Sequence, residues 1–382
     1  MEEARGALSL GRREWDTWPR YDAAALGFRN YWYPVLWSKS LGRKPIALTL
    51  MGEKLMLVRD RDGRPYALQN RCPHRGVPLS LGKQEFPGTW SCWYHGWTYE
   101  LASGTMVACL TDGPDSPLCG KVRVQSYPVE ERLGLVFVFV GDGAPPPVEA
   151  DLPAELLEND LASGGRITLR RGNWRYAAEN GFDEGHAKYL HRDSLWAFFR
   201  HMPAYTRASV VPSEDGSWIT RVQSKVALEG EYPRVGKWPP RRWWKRSGKG
   251  AVVSLRLPGL LRVKYPEWTH YEWYVPVDAD HHRYIQIAVK FTRGLDALLF
   301  RLRYWTYIRW IFHGMFNDQD AIMVETMDIP PERLYRPDVS IIAWRKLCER
   351  PRGVEAREGE GLVAPLHEAD VEELQRQQAS RV

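Results

Sequence analysis

The chain has 382 residues, 53 of them basic and 47 acidic, for a formal charge of +6, and 44% are hydrophobic. That length allows two domains, each with its own core. The positive balance does not point to nucleic acid, because the basic residues are dispersed apart from Arg241-Arg242 and Lys245-Arg246, and no nucleic-acid motif accompanies them.

Residues 1–30 read as an N-terminal segment packing on the second domain. They open acidic and lack an apolar core, so no export signal is expected and the chain reads as cytoplasmic. From Tyr31 to about Val140, β-rich runs (WYPVLW, PIALTLMGEKLMLVRD, LGLVFVFVG) alternate with turn signals, which predicts an all-β domain over 31–147. The run Gly141 to Pro147, GDGAPPP, marks its end. Residues 148–350 read as α+β, with a central antiparallel sheet covered by helices: a helix over Trp174 to His191, strands within 205–290, and long helices over 295–327. The densest apolar stretch, Leu295 to Phe312, contains Arg301, Arg303 and Arg309 and so does not suit a membrane span. It predicts an amphipathic helix with Tyr304, Trp305, Tyr307 and Trp310 turned to the core. Residues 351–382 form a charged tail. Neither G-x-G-x-x-G nor G-x-x-x-x-G-K-[ST] occurs, so the chain brings no dinucleotide or triphosphate site of its own.

Two short runs carry the first chemistry. Cys72-Pro73-His74-Arg75-Gly76 and Cys92-Trp93-Tyr94-His95-Gly96-Trp97 place one thiol and one imidazole on each of two loops. Zinc accepts two Cys and two His, but its knuckles usually pair like with like. One Cys and one His per loop suits two irons with unlike ligands, a [2Fe-2S] centre of raised potential that moves single electrons. Pro73, Gly76 and Gly96 are turn formers that let backbone N–H groups approach cluster sulfurs. Of the five cysteines, Cys109, Cys119 and Cys348 then remain, an odd number without a disulfide framework.

The run Glu179 to His191 carries a second candidate site, with His186 and His191 five residues apart. Non-haem Fe(II) enzymes hold their metal through two His and one carboxylate and leave positions open for O2 and substrate. At 100° per residue these two histidines stand about 140° apart, so the helix must break or bulge between them. Asp183, three residues before His186, reads as its hydrogen-bond partner on a shared helical face. The residues alone leave Asp318, Asp320, Glu325 and Asp328 open as the carboxylate.

At these motifs, and over nearly its whole length, the chain resembles the Rieske non-haem iron oxygenases. The resemblance narrows to the carbazole dioxygenase terminal oxygenases at Leu26 to Asn30, Glu179 to Asp183, Glu272 to Pro276 and Ala343 to Leu347. It implies Cys72, His74, Cys92 and His95 as cluster ligands, and His186, His191 and Asp320 as iron ligands with Asp318 as the fallback. It also implies Asn180 beside the iron, and Asp183 joining an iron-ligand His to a cluster His of the neighbouring subunit, in a ring of three chains. The Gly181 carbonyl, Tyr265 and Phe316 are its pocket candidates. One [2Fe-2S] cluster and one Fe2+ per chain, O2 as co-substrate, and NAD(P)H-derived electrons from a partner ferredoxin or reductase follow from the same resemblance. So does dihydroxylation of a hydrophobic aromatic or heteroaromatic substrate, with monooxygenation by hydroxylation or demethylation as the alternative. An electron carrier whose second domain lacks iron is the rival from another class. The relatives have three residues between their iron histidines where this chain has four, and the segment from about Trp196 to Trp268 diverges, so the substrate itself does not carry over. Trp238, Trp243, Trp244 and Trp268 are candidates to line an apolar cavity.

Overall fold

A computed structural model describes residues 18–113, 115–158, 160–193, 207–224, 251–328, 332–353 and 366–367. Trp238, Trp243 and Trp244 lie outside the described residues, as do residues 1–17 and most of the tail. The first ten strands form three small antiparallel sheets. One joins β1 (Tyr31–Trp37), β10 (Leu135–Val140) and β9 (Val129–Arg132). A second joins β2 (Ile46–Leu50), β3 (Glu53–Arg59), β4 (Pro65–Gln69) and β8 (Ser126–Tyr127), and a third joins β5 (Thr89–Ser91), β6 (Trp97–Glu100) and β7 (Met106–Cys109).

Turn chemistry explains two of these pairings. Met51-Gly52 links β2 to β3 and Leu133-Gly134 links β9 to β10, and all four residues have positive φ. Two-residue loops of that kind match the twist of the strands they join. β10 is Leu-Val-Phe-Val-Phe-Val and buried at every position, as a strand covered on both faces requires.

The remaining strands form one eight-stranded antiparallel sheet in the order β11 (Leu161–Arg171), β17 (His281–Phe291), β16 (Thr269–Pro276), β15 (Leu260–Lys264), β14 (Val252–Arg256), β13 (Trp218–Ser224), β12 (Arg207–Pro212) and β18 (Leu366–His367). Around it stand short α1 (Pro19–Ala23) and α2 (Glu155–Glu158), α3 (Trp174–Phe182), α4 (Glu184–Tyr189), α5 (Gly294–Arg303), α6 (Asn317–Thr326) and α7 (Val339–Cys348). No helix among the described residues is long and apolar enough to cross a membrane.

Two sequence expectations change. The helix expected over Trp174 to His191 is three elements, α3, α4 and a 3-10 turn at Leu190–Asp193, with breaks at Asp183 and after Tyr189. The expected helix through Phe312 passes at Tyr304 into a π-helical stretch, Tyr304–Phe316. Wider winding leaves Tyr304, Ile308 and Phe312 as the buried stripe, four residues apart, and turns Trp305 and Trp310 outward at 54% and 59% exposure. Arg309 lies over both of those rings, 4.7 and 5.1 Å from their centres, which offsets some of the cost of their exposure.

The main core gathers around Trp174 and Trp344, which meet edge to face at 6.2 Å. The chain before β1 is tied to it: the Trp174 indole N–H donates to the Ala24 carbonyl (2.8 Å) and the Tyr21 hydroxyl donates to Glu179 (2.5 Å). Arg345 on α7 completes this buried group, 2.6 Å from Glu179. Burial pushes the Glu179 carboxyl up, and Arg345 and Tyr21 oppose the shift. Arg345→Met should therefore cost about 3–5 kcal/mol in urea unfolding at pH 7.5, because it strands a buried charge. The loss should shrink as pH is lowered, because burial favours the protonated Glu179 carboxyl; equal losses across the range would contradict this reading.

Candidate cluster and metal centre

The two cysteine loops are built alike. In each, the cysteine N–H donates to the carbonyl five residues on (Cys72 to Val77, 2.9 Å; Cys92 to Trp97, 2.8 Å), and the glycine four residues on donates back to the cysteine carbonyl. Gly76 and Gly96 close the loops at φ +74° and +66°, where a side chain is strained, and a Cβ on Gly96 would come within 2.7 Å of Leu110. The result is a layered arrangement. Cys72 and Cys92 are buried at 1% and 4% exposure and are not disulfide-bonded, whereas His74 is exposed and His95 half-buried. The two imidazoles meet at 4.6 Å, and Trp97 stacks on His74 at 4.7 Å. Burial pushes the Cys92 thiol up, and the backbone N–H groups of Tyr94 and His95 oppose that shift by donating to its sulfur. The Tyr99 hydroxyl lies 3.4 Å from the Cys72 sulfur. His95 Nδ1 is buried without a hydrogen-bond partner, so a ring nitrogen is left for a metal.

Asp183 organises the second centre. Its φ and ψ, −68° and 136°, end α3, and its carboxylate starts α4 by accepting from the Gly185 and His186 N–H groups, each at 2.8 Å. The same carboxylate lies 3.2 Å from His186 Nδ1. Asp183 thus partners His186 from the helix cap, not from a shared face of one continuous helix. His191 stands on the 3-10 turn, and its Nδ1 is 2.9 Å from Gln319 on α6. These anchors aim both Nε2 atoms at Asp320 Oδ1, at 3.3 Å from His186 and 3.1 Å from His191. Apart from these two imidazoles, no hydrogen-bond partner reaches the buried Asp320 Oδ1, and the three side chains bring ligand atoms within 4.8 Å of one another. Burial would raise the Asp320 carboxyl, but the two imidazoles hold it well below its usual range. For His186 burial is outweighed in the opposite sense, and Asp183 and Asp320 lift it to about 9.

The other carboxylates face elsewhere. Asp318 pairs with Arg166 at 2.5 Å and Arg170 at 2.7 Å, Glu325 pairs with Arg171 at 3.5 Å, and Asp328 is exposed. Neutralised by two guanidiniums, Asp318 is poorly placed to serve a metal.

Residues 31–128 match the family model described as the Rieske [2Fe-2S] domain, and residues 139–206 and 220–355 match that described as the homotrimeric ring hydroxylase. The chain belongs to the Rieske ring-hydroxylating oxygenases. This oxygenase is 36% identical to the terminal oxygenase component of carbazole 1,9a-dioxygenase from Sphingomonas sp, over 91% of its own length and 98% of the relative's. It is similar to the solved terminal oxygenase of carbazole 1,9a-dioxygenase from Novosphingobium sp. KA1, with a TM-score of 0.76 and 33% identity over 89% of this chain and 97% of that one. It is also similar to the reduced complex between oxygenase and ferredoxin in carbazole 1,9a-dioxygenase, with a TM-score of 0.75 and 32% identity, covering 88% and 93% of the two chains.

Family membership implies an iron–sulfur cluster and a mononuclear iron. The residues of the oxygenase fit both. Adjoining buried thiols and adjoining imidazoles suit two irons with unlike ligands, and an unpartnered carboxylate oxygen facing two imidazoles suits a single iron.

Of the pocket candidates, Phe316 stacks on His191 at 3.7 Å, and Tyr265 joins the same aromatic cluster through Trp268 (4.8 Å) and Phe312 (5.7 Å). Gly181 packs against β16, where a Cβ would come within 2.0 Å of the Tyr274 hydroxyl. Asn180 shares with Asp320, Tyr274 and Tyr284 a cavity of about 10 Å³, close to what one water needs. Sequence reasoning missed Gln319 and Tyr99, whose roles depend on partners far away in the chain.

The raised His186 value has a testable sign. A proton on His186 stabilises the metal-free fold fully below the free-imidazole value of 6.5, and that contribution is lost as pH rises through about 9. A metal must displace this proton, so Co2+ affinity of the metal-free oxygenase should rise about tenfold per unit between pH 7 and 9 and then flatten. Calorimetric titration across that range measures it, and pH-independent affinity would refute the assignment.

Proposed function

We propose that the chain is the terminal oxygenase component of a multicomponent system that uses O2 to dihydroxylate a hydrophobic aromatic or heteroaromatic substrate. The observation that carries this is the trio of His191, which is buried, with the part-buried His186 and Asp320, on the same chain as the two cluster loops. An electron carrier has no need of the second centre. The names of its relatives support the reading, and the homotrimeric family description and the ferredoxin complex of a relative support a trimer served by a ferredoxin; a reductase that draws on NAD(P)H is part of the same proposal. Three free cysteines outside the cluster loops fit a reducing, cytoplasmic setting.

When bound, the cluster supplies single electrons and the iron activates O2 beside the substrate. Cys72, Cys92, His74 and His95 would hold the cluster, the thiols being buried and the imidazoles nearer solvent. His186, His191 and Asp320 would hold the iron, and each imidazole is fixed through its other nitrogen, His186 by Asp183 and His191 by Gln319. Phe316 covers one face of His191 and shields it from water. Asp183 offers the cluster of a neighbouring chain a hydrogen-bonded path to His186.

Metal analysis separates the oxygenase from a carrier: three irons per chain favour the first, two the second. Asp320→Ala should remove one iron and abolish turnover while the visible spectrum of the cluster persists; retained turnover would rule out this ligand. Asp183→Asn should leave both metals bound but slow single-turnover reduction of the iron about 10- to 100-fold. Unchanged rates at full metal content would count against the bridge. Product analysis with labelled O2 distinguishes retention of both oxygen atoms from retention of one.

A further inference from the structure

α5 carries apolar side chains on both of its faces. Ala297 and Phe300 are buried, and Tyr304 continues that line one turn on. Leu295, Leu298, Leu299 and Leu302, spaced i, i+3, i+4 and i+7, share the opposite face, and each is more than half exposed. Trp305, three residues beyond Leu302, extends the row, and Trp310 stands outward from the π-helical stretch that follows. A surface helix ordinarily turns polar residues to water, and single exposed apolar groups need no explanation. Four leucines and two indoles in succession do.

The charges around the row are unbalanced. Asp296 is neutralised by Lys290 (2.7 Å) and Glu267 by Arg303 (2.7 Å). Arg293 and Arg301 are exposed and, among the described residues, pair with no carboxylate, while Arg309 lies over the faces of Trp305 and Trp310. Cations therefore stand before the row, within it and near its end. Leucine and tryptophan flanked by arginine is the composition of a helix that lies in a membrane interface, with its apolar side among acyl chains, its indoles at the headgroup level and its guanidiniums reaching phosphate.

We propose that the outward face of α5 and the start of the π-helical stretch form a docking surface for an anionic lipid bilayer, on which the protein lies without crossing it. Charge decides between this occupant and a second copy of the chain. Two copies meeting through this face would set arginines against arginines, whereas phosphate headgroups receive all three. A single exposed helix is also a ridge, which a fluid surface accepts without a matching groove. Docking sets against the bilayer the helical run whose continuation carries Phe316 and Asp320, and hydrophobic ring compounds concentrate in bilayers. That consequence rests on the oxygenase reading; the docking does not.

Sedimentation of the metal-loaded full chain with sucrose-filled vesicles tests the surface, using phosphatidylcholine alone and phosphatidylcholine mixed with phosphatidylglycerol. Partition onto the mixed vesicles should be at least about tenfold stronger and should weaken as salt rises, since each arginine at an anionic surface contributes about fivefold. Arg301→Gln should lose about that fivefold on mixed vesicles and nothing on neutral ones. Leu298→Glu with Leu302→Glu should abolish binding to both, and Leu298→Phe with Leu302→Phe should keep it. Absence of binding to mixed vesicles would overturn the proposal. So would binding that survives the paired glutamates, which would mean attraction by the positive surface as a whole. Sedimentation velocity without lipid supplies another outcome: an assembly that the paired glutamates reduce in size would mean that another copy covers the ridge, and would overturn the proposal too. Hydroxyl-radical footprinting of the unaltered protein serves where a variant fails to fold. Trp305 and Trp310 should be shielded on mixed vesicles, and unchanged labelling there would count against the surface. None of these measurements involves turnover, so their failure leaves the oxygenase reading untouched.

Discussion

The carboxylate of Asp183 is the constraint on which the metal centre depends. One side chain stands where α3 ends, satisfies the first N–H groups of α4, and reaches the imidazole of His186. Local folding and metal geometry are therefore the same event: the cap that makes α4 possible also fixes the rotation of a metal-binding ring. Replacing a cap usually costs helix stability alone, but here the helix and the orientation of His186 are lost together. The 3-10 turn that follows gives His191 an element of its own, so the two rings reach one point without sharing a helical face.

A second set of contacts holds the carboxylate side in place. Arg166 and Arg170 project from β11 to Asp318, and Arg166 also bonds Gln286 on β17 and the His313 carbonyl in the π-helical stretch. Because Asp318 lies two residues before Asp320, these guanidiniums hold the start of α6 against the sheet. Asn317 adds its bonds to Glu272 and Tyr284. Charged and amide groups thus fill space that an apolar layer would occupy in an ordinary sheet-and-helix core. Such a layer tolerates no partial pairing, since each member desolvates its neighbours, and that rigidity suits a metal ligand that must not drift.

Much of this was legible from the sequence, and for identifiable reasons. Cys72, His74, Cys92 and His95 stand in short loops whose ligands and turn glycines are adjacent in the chain, so residue type and spacing carry the chemistry. His186 and His191 were legible for the same reason, and the need for a break between them followed from helical geometry. The position of that break was harder to read, because Asp183 serves as a cap only once α3 has stopped. Gln319, Glu272 and Asn317 gave no local signal, since their partners arrive through the docking of α6 on the sheet. Trp305 and Trp310 were misread because a helical period was assumed through a segment that winds as a π-helix, which changes which side chains share a face.

The layering of the cluster loops sets how the cluster decays. Thiolates at the bottom of the pocket are sheltered from oxidants and competing metals, whereas the imidazoles at its mouth are open to protons from solvent. Acid removes an imidazole from iron far more readily than it removes a sheltered thiolate. A cluster held by these loops would therefore come apart first at the histidine side.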